Sequence, residues 1–107
     1  SGMQVIDKVK DYVMRNYRNP EISLTSAAEF ASVSTGYLSG LFKKEAGTNF
    51  VKYLTDVRME KSMQLLRSTD MKTYEIAYET GFSNPHYFSV SFKKYTGMSP
   101  SEFRAKE

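Results

Sequence analysis

Apolar residues recur every three or four positions through most of the chain, a spacing that predicts amphipathic helices and no convincing strand. The first helix is predicted over residues 3–17 and ends before Asn19-Pro20, because a residue that precedes proline is pushed out of helical backbone. Ser23 is the predicted N-cap of a second helix, and a third is predicted over residues 35–46. Two helices joined by about three residues are a helix-turn-helix candidate.

A longer helix is predicted over residues 49–68, where no Gly or Pro interrupts the helical spacing. At 1.5 Å per residue, about nineteen residues give it a length of roughly 28 Å. A second helix pair is predicted beyond it, with Thr73 as the first N-cap and Gly81 in the turn. Asn84-Pro85 is a favoured helix start and opens the second helix of this pair.

An eight-residue pattern occurs twice, at residues 37–44 and again fifty positions later at residues 87–94. Each copy begins with Tyr, has Ser in third place and ends with Phe-Lys-Lys, and a glycine that stops the predicted helix follows each copy. Ser99 and Glu102 then have the spacing of a capping box, which predicts one last short helix.

The predicted fold is all-α, with about seven helices and two helix-turn-helix lobes. The lobes are expected at residues 3–47 and 73–107, bridged by the linker helix at 49–68. Ser1-Gly2, which precede Met3, are interpreted as the remnant of a cleaved tag, so the domain is taken as residues 3–107.

The apolar members of the repeated pattern are predicted to lie in the core, because an apolar stripe at helical spacing is usually buried. These residues are Tyr37, Leu38, Leu41, Phe42, Tyr87, Phe88 and Phe92. Packing is also the favoured interpretation for Tyr78, Tyr95 and Phe103. The opposite faces of the two helices are then available for binding.

The composition excludes several kinds of chemistry. The 107-residue chain has no cysteine and a single histidine, His86, so disulfides and thiolate metal sites are excluded and no metal or cofactor is expected. No paired carboxylates or nucleophile constellation stands out, and an enzyme is not predicted. No apolar run is long enough to span a membrane, which predicts a soluble, cytoplasmic protein without a membrane partner. A net charge of +3 with a pI of about 9.1 favours a polyanionic partner.

The predicted arrangement of the lobes favours double-stranded DNA as that partner. A linker helix of roughly 28 Å is expected to separate the two later helices by about one turn of B-DNA, so that both enter successive major grooves. The caps Ser34 and Asn84 leave backbone N–H groups at the positive helix ends, where phosphates bind well. Paired lysines further along the same helices are candidates for flanking phosphates: Lys43, Lys44, Lys93 and Lys94.

Longer segments that lie mostly outside the repeated pattern are more specific still. They are Arg58-Met59-Glu60-Lys61, Ile76-Ala77-Tyr78-Glu79-Thr80-Gly81-Phe82-Ser83-Asn84-Pro85-His86-Tyr87-Phe88-Ser89 and Ser99-Pro100-Ser101-Glu102-Phe103-Arg104. Together with the two copies of the pattern, these segments make the chain resemble the DNA-binding domain of the AraC/XylS family of bacterial transcription regulators, from about Met3 to its end.

The resemblance implies a seven-helix domain that reads promoter DNA with one recognition helix in each lobe. Carried over position by position, the base-facing residues would be Thr35, Gly36, Ser39 and Gly40 in the first helix and Pro85, His86, Ser89 and Val90 in the second. The resemblance also implies a sensor, receiver or dimerisation domain in the parent chain. RNA polymerase is a further candidate partner.

The chain departs from the family pattern at Gly40 and Val90, where the family commonly carries arginine. An arginine paired with guanine is the commonest specific contact and gives about 1 to 3 kcal/mol of discrimination. Val90 can still contact a thymine methyl, and Ser39 and Ser89 can make single hydrogen bonds. We therefore expect modest intrinsic specificity that depends on phosphate contacts and on DNA shape.

A helical protein-interaction module that contacts RNA polymerase or a partner domain is the alternative function. DNA binding weakens steeply as salt rises, because phosphate neutralisation releases counterions, whereas an affinity that is flat in salt supports the alternative. For His86, a surface position without a partner is an equal alternative to a DNA contact. For Arg58, an ion pair with a nearby carboxylate is favoured over a phosphate contact.

Overall fold

The computed structural model describes residues 1–106, and within that range it contains helices and turns but no strand. Its elements are α1 (Gly2–Asn16), α2 (Leu24–Ala31), α3 (Thr35–Ala46), α4 (Phe50–Ser68), α5 (Thr73–Glu79), α6 (Pro85–Thr96) and α7 (Pro100–Ala105). The predicted all-α fold of seven helices is therefore confirmed.

The chain forms two compact units, Ser1–Val57 and Arg58–Glu107, and the boundary between them lies inside α4. The N-terminal part of α4 contributes Phe50 and Leu54 to the core of the first unit. Its C-terminal part contributes Met59 and Leu66 to the core of the second. The predicted linker helix is thus also a core element of both units.

The core of the first unit is built by α1, α2, α3 and the start of α4. Three alanines of α2 are buried in it, and small side chains let neighbouring helices approach closely. Phe42 of α3 is fully buried, and its ring packs edge-on against Phe50 at a centroid distance of 5.8 Å. Tyr53 lies beside Phe42 at 5.5 Å, and partial burial raises the pKa of its phenol.

The core of the second unit is mainly aromatic. Phe88 and Phe92 of α6 are fully buried and pack against each other at a centroid distance of 5.7 Å. Phe103 of α7 packs edge-on against Phe92 at 5.5 Å, and Phe82 packs against Phe88 at 5.1 Å. Phe92 therefore joins α7 to the helix pair, and the predicted packing role of Phe103 is confirmed.

Arg104 in α7 also holds the end of α4. Its guanidinium donates hydrogen bonds to the backbone carbonyls of Leu66 at 3.0 Å, Thr69 at 3.0 Å and Met71 at 2.8 Å. Leu66 lies in the last turn of α4, where carbonyls lack intrahelical donors and carry partial negative charge, so a guanidinium satisfies both needs there. Thr69 and Met71 lie in the segment that follows the helix. One side chain thereby closes the C-terminal end of α4 within the second unit.

Two helix starts differ from the predictions. α1 begins at Gly2, and the hydroxyl of Ser1 accepts a hydrogen bond from the Gln4 N–H at 3.4 Å, so the residues left out of the predicted domain cap this helix. In α5, Thr73 is the first helical residue and Lys72 is the N-cap. The carboxylate of Glu75 accepts the Lys72 N–H at 2.8 Å, which is the half of a capping box that does not require an acceptor on the cap side chain.

The buried positions predicted for two tyrosines are wrong. Tyr37 is 51% exposed and Tyr87 is 64% exposed, whereas the adjacent Leu38 and Phe88 are fully buried. Successive helical residues point about 100° apart, so a helix that buries Leu38 directs Tyr37 away from the core. Both tyrosines therefore lie on the surface of their helices.

Three other side chains that were assigned to packing also differ in burial. Leu41 is only partly buried, against the core of the first unit. Tyr78 is 53% exposed and Tyr95 is 40% exposed, so neither is a core residue. For these tyrosines, the apolar spacing was not sufficient to identify the buried face.

Candidate nucleic-acid interface

The turn before α3 is a Schellman motif. Ser32 has φ +59°, in the left-handed region, and its N–H donates to the carbonyl of Glu29 at 3.1 Å. The next N–H, of Val33, reaches back to the carbonyl of Ala28 at 3.0 Å. Ser34 then caps α3, because its hydroxyl accepts the Tyr37 N–H at 3.1 Å. The predicted cap and turn are both confirmed.

The turn before α6 repeats this motif with a glycine in the left-handed position. Gly81 has φ +97° and its N–H donates to the carbonyl of Tyr78 at 3.3 Å, while the Phe82 N–H reaches Ala77 at 2.9 Å. Gly81 thus corresponds to Ser32, as predicted. The equivalent residues Val33 and Phe82 are forty-nine positions apart, not fifty.

One extra residue therefore precedes the cap of α6. Ser83 lies between the turn and Asn84, whereas Val33 leads directly to Ser34 in the first unit. The side-chain oxygen of Asn84 accepts the Tyr87 N–H at 2.9 Å, and Pro85 occupies the first helical position as predicted. Gly47 and Gly97 end α3 and α6 at φ +69° and +84°, so the two helices also stop alike.

The predicted base-facing residues lie away from the core on both helices. On α3, Thr35, Gly36 and Gly40 are exposed and Ser39 is half-buried. On α6, His86 and Val90 are exposed and Ser89 is half-buried, like their equivalents on α3. Pro85 differs, since it is half-buried where Thr35 is exposed. The structure therefore brings each predicted set together on the outer face of one helix.

The predicted phosphate contacts are exposed as well. The caps Ser34 and Asn84 lie at the helix starts. The four lysines lie in the last turns of α3 and α6: Lys43, Lys44, Lys93 and Lys94. Each recognition helix thus has a capped, exposed N-terminus and two exposed cations at its opposite end.

Each recognition helix carries one further exposed group that the sequence-based prediction missed. Tyr37 precedes Lys44 by seven positions, and Tyr87 precedes Lys94 by the same spacing. Residues three, four and seven apart share one helix face, so each tyrosine and lysine form one edge of the outer face. A phenol can donate and accept hydrogen bonds, and the repeated spacing was the available signal for this role.

Two ionisable groups of the second unit have shifted pKa values. The pKa of Glu102 in α7 is lowered, first because its carboxylate accepts a hydrogen bond from the Ser99 N–H at 2.8 Å. The Ser99 side chain and the positive charge of Lys93 lower it further. In the second unit, burial lowers the pKa of Arg58, whose guanidinium lies 5.9 Å from the ring centroid of Phe82. The preference for an ion pair at Arg58 stays a prediction.

Among residues 1–106, no group of three or more His, Asp or Glu side chains is placed to hold a metal ion. Within the same residues, no helix has the length and apolar character needed to cross a membrane.

Comparison with known proteins places this geometry in a family. The helix-turn-helix domain family matches residues 27–106. The uncharacterized transcriptional regulatory protein YesN of Bacillus subtilis is 44% identical over 99% of this chain, which covers 30% of that protein. The chain spans about a third of the length of the curated relatives that it matches.

Two solved structures are closely similar. The C-terminal domain of AraT, a response regulator from Geobacillus stearothermophilus, is 39% identical with a TM-score of 0.94, over 96% of this chain and 85% of that one. The C-terminal domain of the two-component response regulator yesN from Fusobacterium nucleatum is 37% identical with a TM-score of 0.91, over 94% of this chain and 98% of that one. The chain therefore belongs to the AraC/XylS family of helix-turn-helix transcription regulators and corresponds to the DNA-binding domain of that family.

Proposed function

We propose that the chain binds promoter DNA by inserting α3 and α6 into successive major grooves, as the output domain of a transcription regulator. The observation that carries the proposal is the duplicated recognition helix. Both copies bury the same two positions, Leu38 and Phe42 in one and Phe88 and Phe92 in the other, and expose the same outer face. A helix-turn-helix unit reads DNA with the exposed face of its second helix.

Phosphate contacts position each helix in its groove. Ser34 and Asn84 already satisfy one N–H each, and the neighbouring N–H groups at the positive helix end attract a phosphate. The exposed lysines in the last turns of α3 and α6 bind the phosphates that flank each groove. These contacts carry no sequence information and give most of the affinity.

Base contacts come from the outer faces themselves. The side chains assigned to them are Thr35, Ser39, Pro85, His86, Ser89 and Val90, with backbone at Gly36 and Gly40. Neither helix carries an arginine or lysine at the centre of this face, so a bidentate guanine contact is absent there. Intrinsic specificity is therefore modest.

The partners beyond DNA belong to the parent protein. A receiver domain is supported by the two response regulators whose C-terminal domains share this structure, and by the share of YesN that the chain covers. Contact between the DNA-bound domain and RNA polymerase completes the proposed regulatory role, in the cytoplasm. Co-expression of the domain with candidate polymerase subunits in a two-hybrid assay tests that contact.

The test of DNA binding is fluorescence anisotropy with random-sequence duplex at several salt concentrations. We expect the logarithm of affinity to fall linearly with the logarithm of salt. Substituting Lys43 or Lys93 by alanine is expected to reduce that slope by about 1. Arg15→Ala removes one positive charge from α1, where Arg15 pairs with Asp11 at 3.0 Å, and is the charge-matched control.

Footprinting tests the two-groove arrangement. The lysine variants should weaken protection in two patches one helical turn apart, about 34 to 36 Å along the duplex. Protection confined to a single patch contradicts insertion of both helices. An affinity that does not change with salt contradicts DNA binding altogether.

A further inference from the structure

The outer faces of α3 and α6 differ at three of five matched positions. The matched residues are Thr35, Gly36, Ser39, Gly40 and Lys43 on α3, and Pro85, His86, Ser89, Val90 and Lys93 on α6. Serine and lysine recur in both helices, and Thr35 on α3 is replaced by Pro85 on α6. At the other two positions α3 has no side chain, whereas α6 has an imidazole and an isopropyl group.

Packing does not explain the two glycines of α3. A Cβ atom placed on Gly36 or on Gly40 has no neighbouring atom within 4 Å, and both residues are exposed. Larger side chains therefore fit at both positions. Gly also lowers helix stability relative to most residues, so helix stability does not favour these glycines either. What they leave is a bare section of backbone. The N–H and carbonyl of Gly40 are engaged within the helix, whereas the N–H of Gly36 belongs to the helix start, where N–H groups have no intrahelical acceptor.

The matching section of α6 offers specific chemistry. Val90 is 54% exposed, and it lines one surface hollow together with His86 and Ser89. In the major groove, thymine is marked by its apolar C5 methyl, and the imidazole and hydroxyl can each make a hydrogen bond to a base edge. An exposed isopropyl group among polar groups is suited to a thymine within a short defined sequence.

We propose that sequence discrimination is concentrated in the second lobe, where α6 recognises a thymine-containing half-site through Val90, while α3 anchors the first lobe with little regard to sequence. The proposal rests on the proposed function, since it divides the work of DNA binding between the two recognition helices. In the first lobe, the anchoring groups are the Ser34 cap and the lysines Lys43 and Lys44.

Selection of bound duplexes from a random pool tests the division of labour. We expect one short enriched sequence containing thymine, and not two of equal strength. Val90→Ala should remove the thymine preference, whereas Met14→Ala, on the exposed surface of α1, should leave the enriched sequence unchanged. Both substitutions favour helix formation and lie on exposed positions, so both proteins should fold.

A second experiment tests the contact between Val90 and the thymine methyl group. Replacing the preferred thymine by deoxyuridine removes only the methyl, and we expect about a three- to fivefold loss of affinity for the original protein. Val90→Ala should bind the two duplexes nearly equally. Gly40→Val transfers the side chain to α3 and should create a methyl preference in the other half-site.

Each outcome is decisive. Two equally enriched half-sites, a preference unaffected by Val90→Ala, or equal affinity for the thymine and uracil duplexes would each overturn the division of labour. Salt-dependent binding without any enriched sequence overturns it as well, and leaves the proposed function standing. An absence of salt-dependent binding removes the proposed function and this proposal together.

Discussion

Ser62 Oγ lies 3.1 Å from Thr80 Oγ1, and both residues are fully buried. Ser62 belongs to α4, and Thr80 follows the end of α5. Each hydroxyl also contacts a carbonyl one helical turn back, at Arg58 for Ser62 and at Ile76 for Thr80, each at 2.7 Å. The pair therefore connects α4 to the helix-turn-helix of the second unit inside an otherwise apolar core.

Removing one hydroxyl of this pair should destabilise the domain. Ser62→Ala and Thr80→Val are each expected to lower the free energy of unfolding by about 1 kcal/mol, because a buried hydrogen bond is lost while the other hydroxyl keeps its carbonyl. Urea denaturation measures both. If the two hydroxyls interact, the loss of unfolding free energy in the double variant should be smaller than the sum of the two single losses by about 0.5 kcal/mol or more. A loss equal to that sum would argue against the interaction.

Substitutions at Ser32 and Gly81, the left-handed residues of the two turns, are expected to change stability in opposite directions. Ser32 holds φ +59°, which costs a residue with a Cβ atom, so Ser32→Gly is expected to raise the free energy of unfolding by about 1 kcal/mol. Gly81→Ala places a Cβ at φ +97° and should lower it by about 1 kcal/mol or more. Thermal unfolding of the two variants provides the comparison. A loss of stability in Ser32→Gly would show that the serine side chain outweighs the backbone cost.

Arg104 is predicted to be more than a surface charge. Arg104→Met keeps the apolar stem but removes three hydrogen bonds to carbonyls, and should cost about 2 kcal/mol or more in unfolding free energy. Arg104→Lys should recover only part, since an ammonium is a point donor and cannot span three carbonyls as a guanidinium does. Chemical denaturation tests the order of the three proteins, and equal stability of Lys and Arg would contradict the fork geometry. Arg15→Met is the control, since the Arg15 side chain is 76% exposed on α1.

Gly40→Arg should introduce a guanine preference in the first half-site. The position is open, and arginine is a better helix former than glycine by about 1 kcal/mol, so the fold should tolerate it. A bidentate guanine contact would add about 1 to 3 kcal/mol of discrimination. Affinities for four duplexes that differ at one base pair measure the effect. Gly40→Lys and Gly40→Gln are controls for added charge and added length, and equal affinities for all four duplexes would show that this position does not face the bases.

The sequence predicted most of what is local. Most helix bounds, apart from the starts of α1 and α5, follow from interactions between residues within one helical turn, as do the caps Ser34, Asn84 and Ser99 and the glycine stops. Family membership rests on the same short segments. The outer faces of α3 and α6 could be predicted because a helix that buries two positions four apart must expose the opposite ones.

The remainder depends on contacts that periodicity does not encode. Arg104 bonds to carbonyls more than thirty residues away in the chain, and Ser62 meets Thr80 eighteen residues away. The tyrosines were misplaced for a related reason, since aromatic character alone favours burial while the phase of the helix decides it. For Lys72, the cap depends on Glu75 and not on its own side chain.

The extra residue Ser83 has a consequence for exchanging the two recognition helices. The repeated octets align at a spacing of fifty residues, but the turns before them align at forty-nine. A graft that begins at the cap, Ser34 or Asn84, preserves each host turn and changes only the helix that meets the groove. A graft that begins within the turn also transfers a different connection length, and with it a different rotation of the helix about its axis. The recognition helices of this domain can therefore be exchanged without altering the turn only when the graft begins at the N-cap.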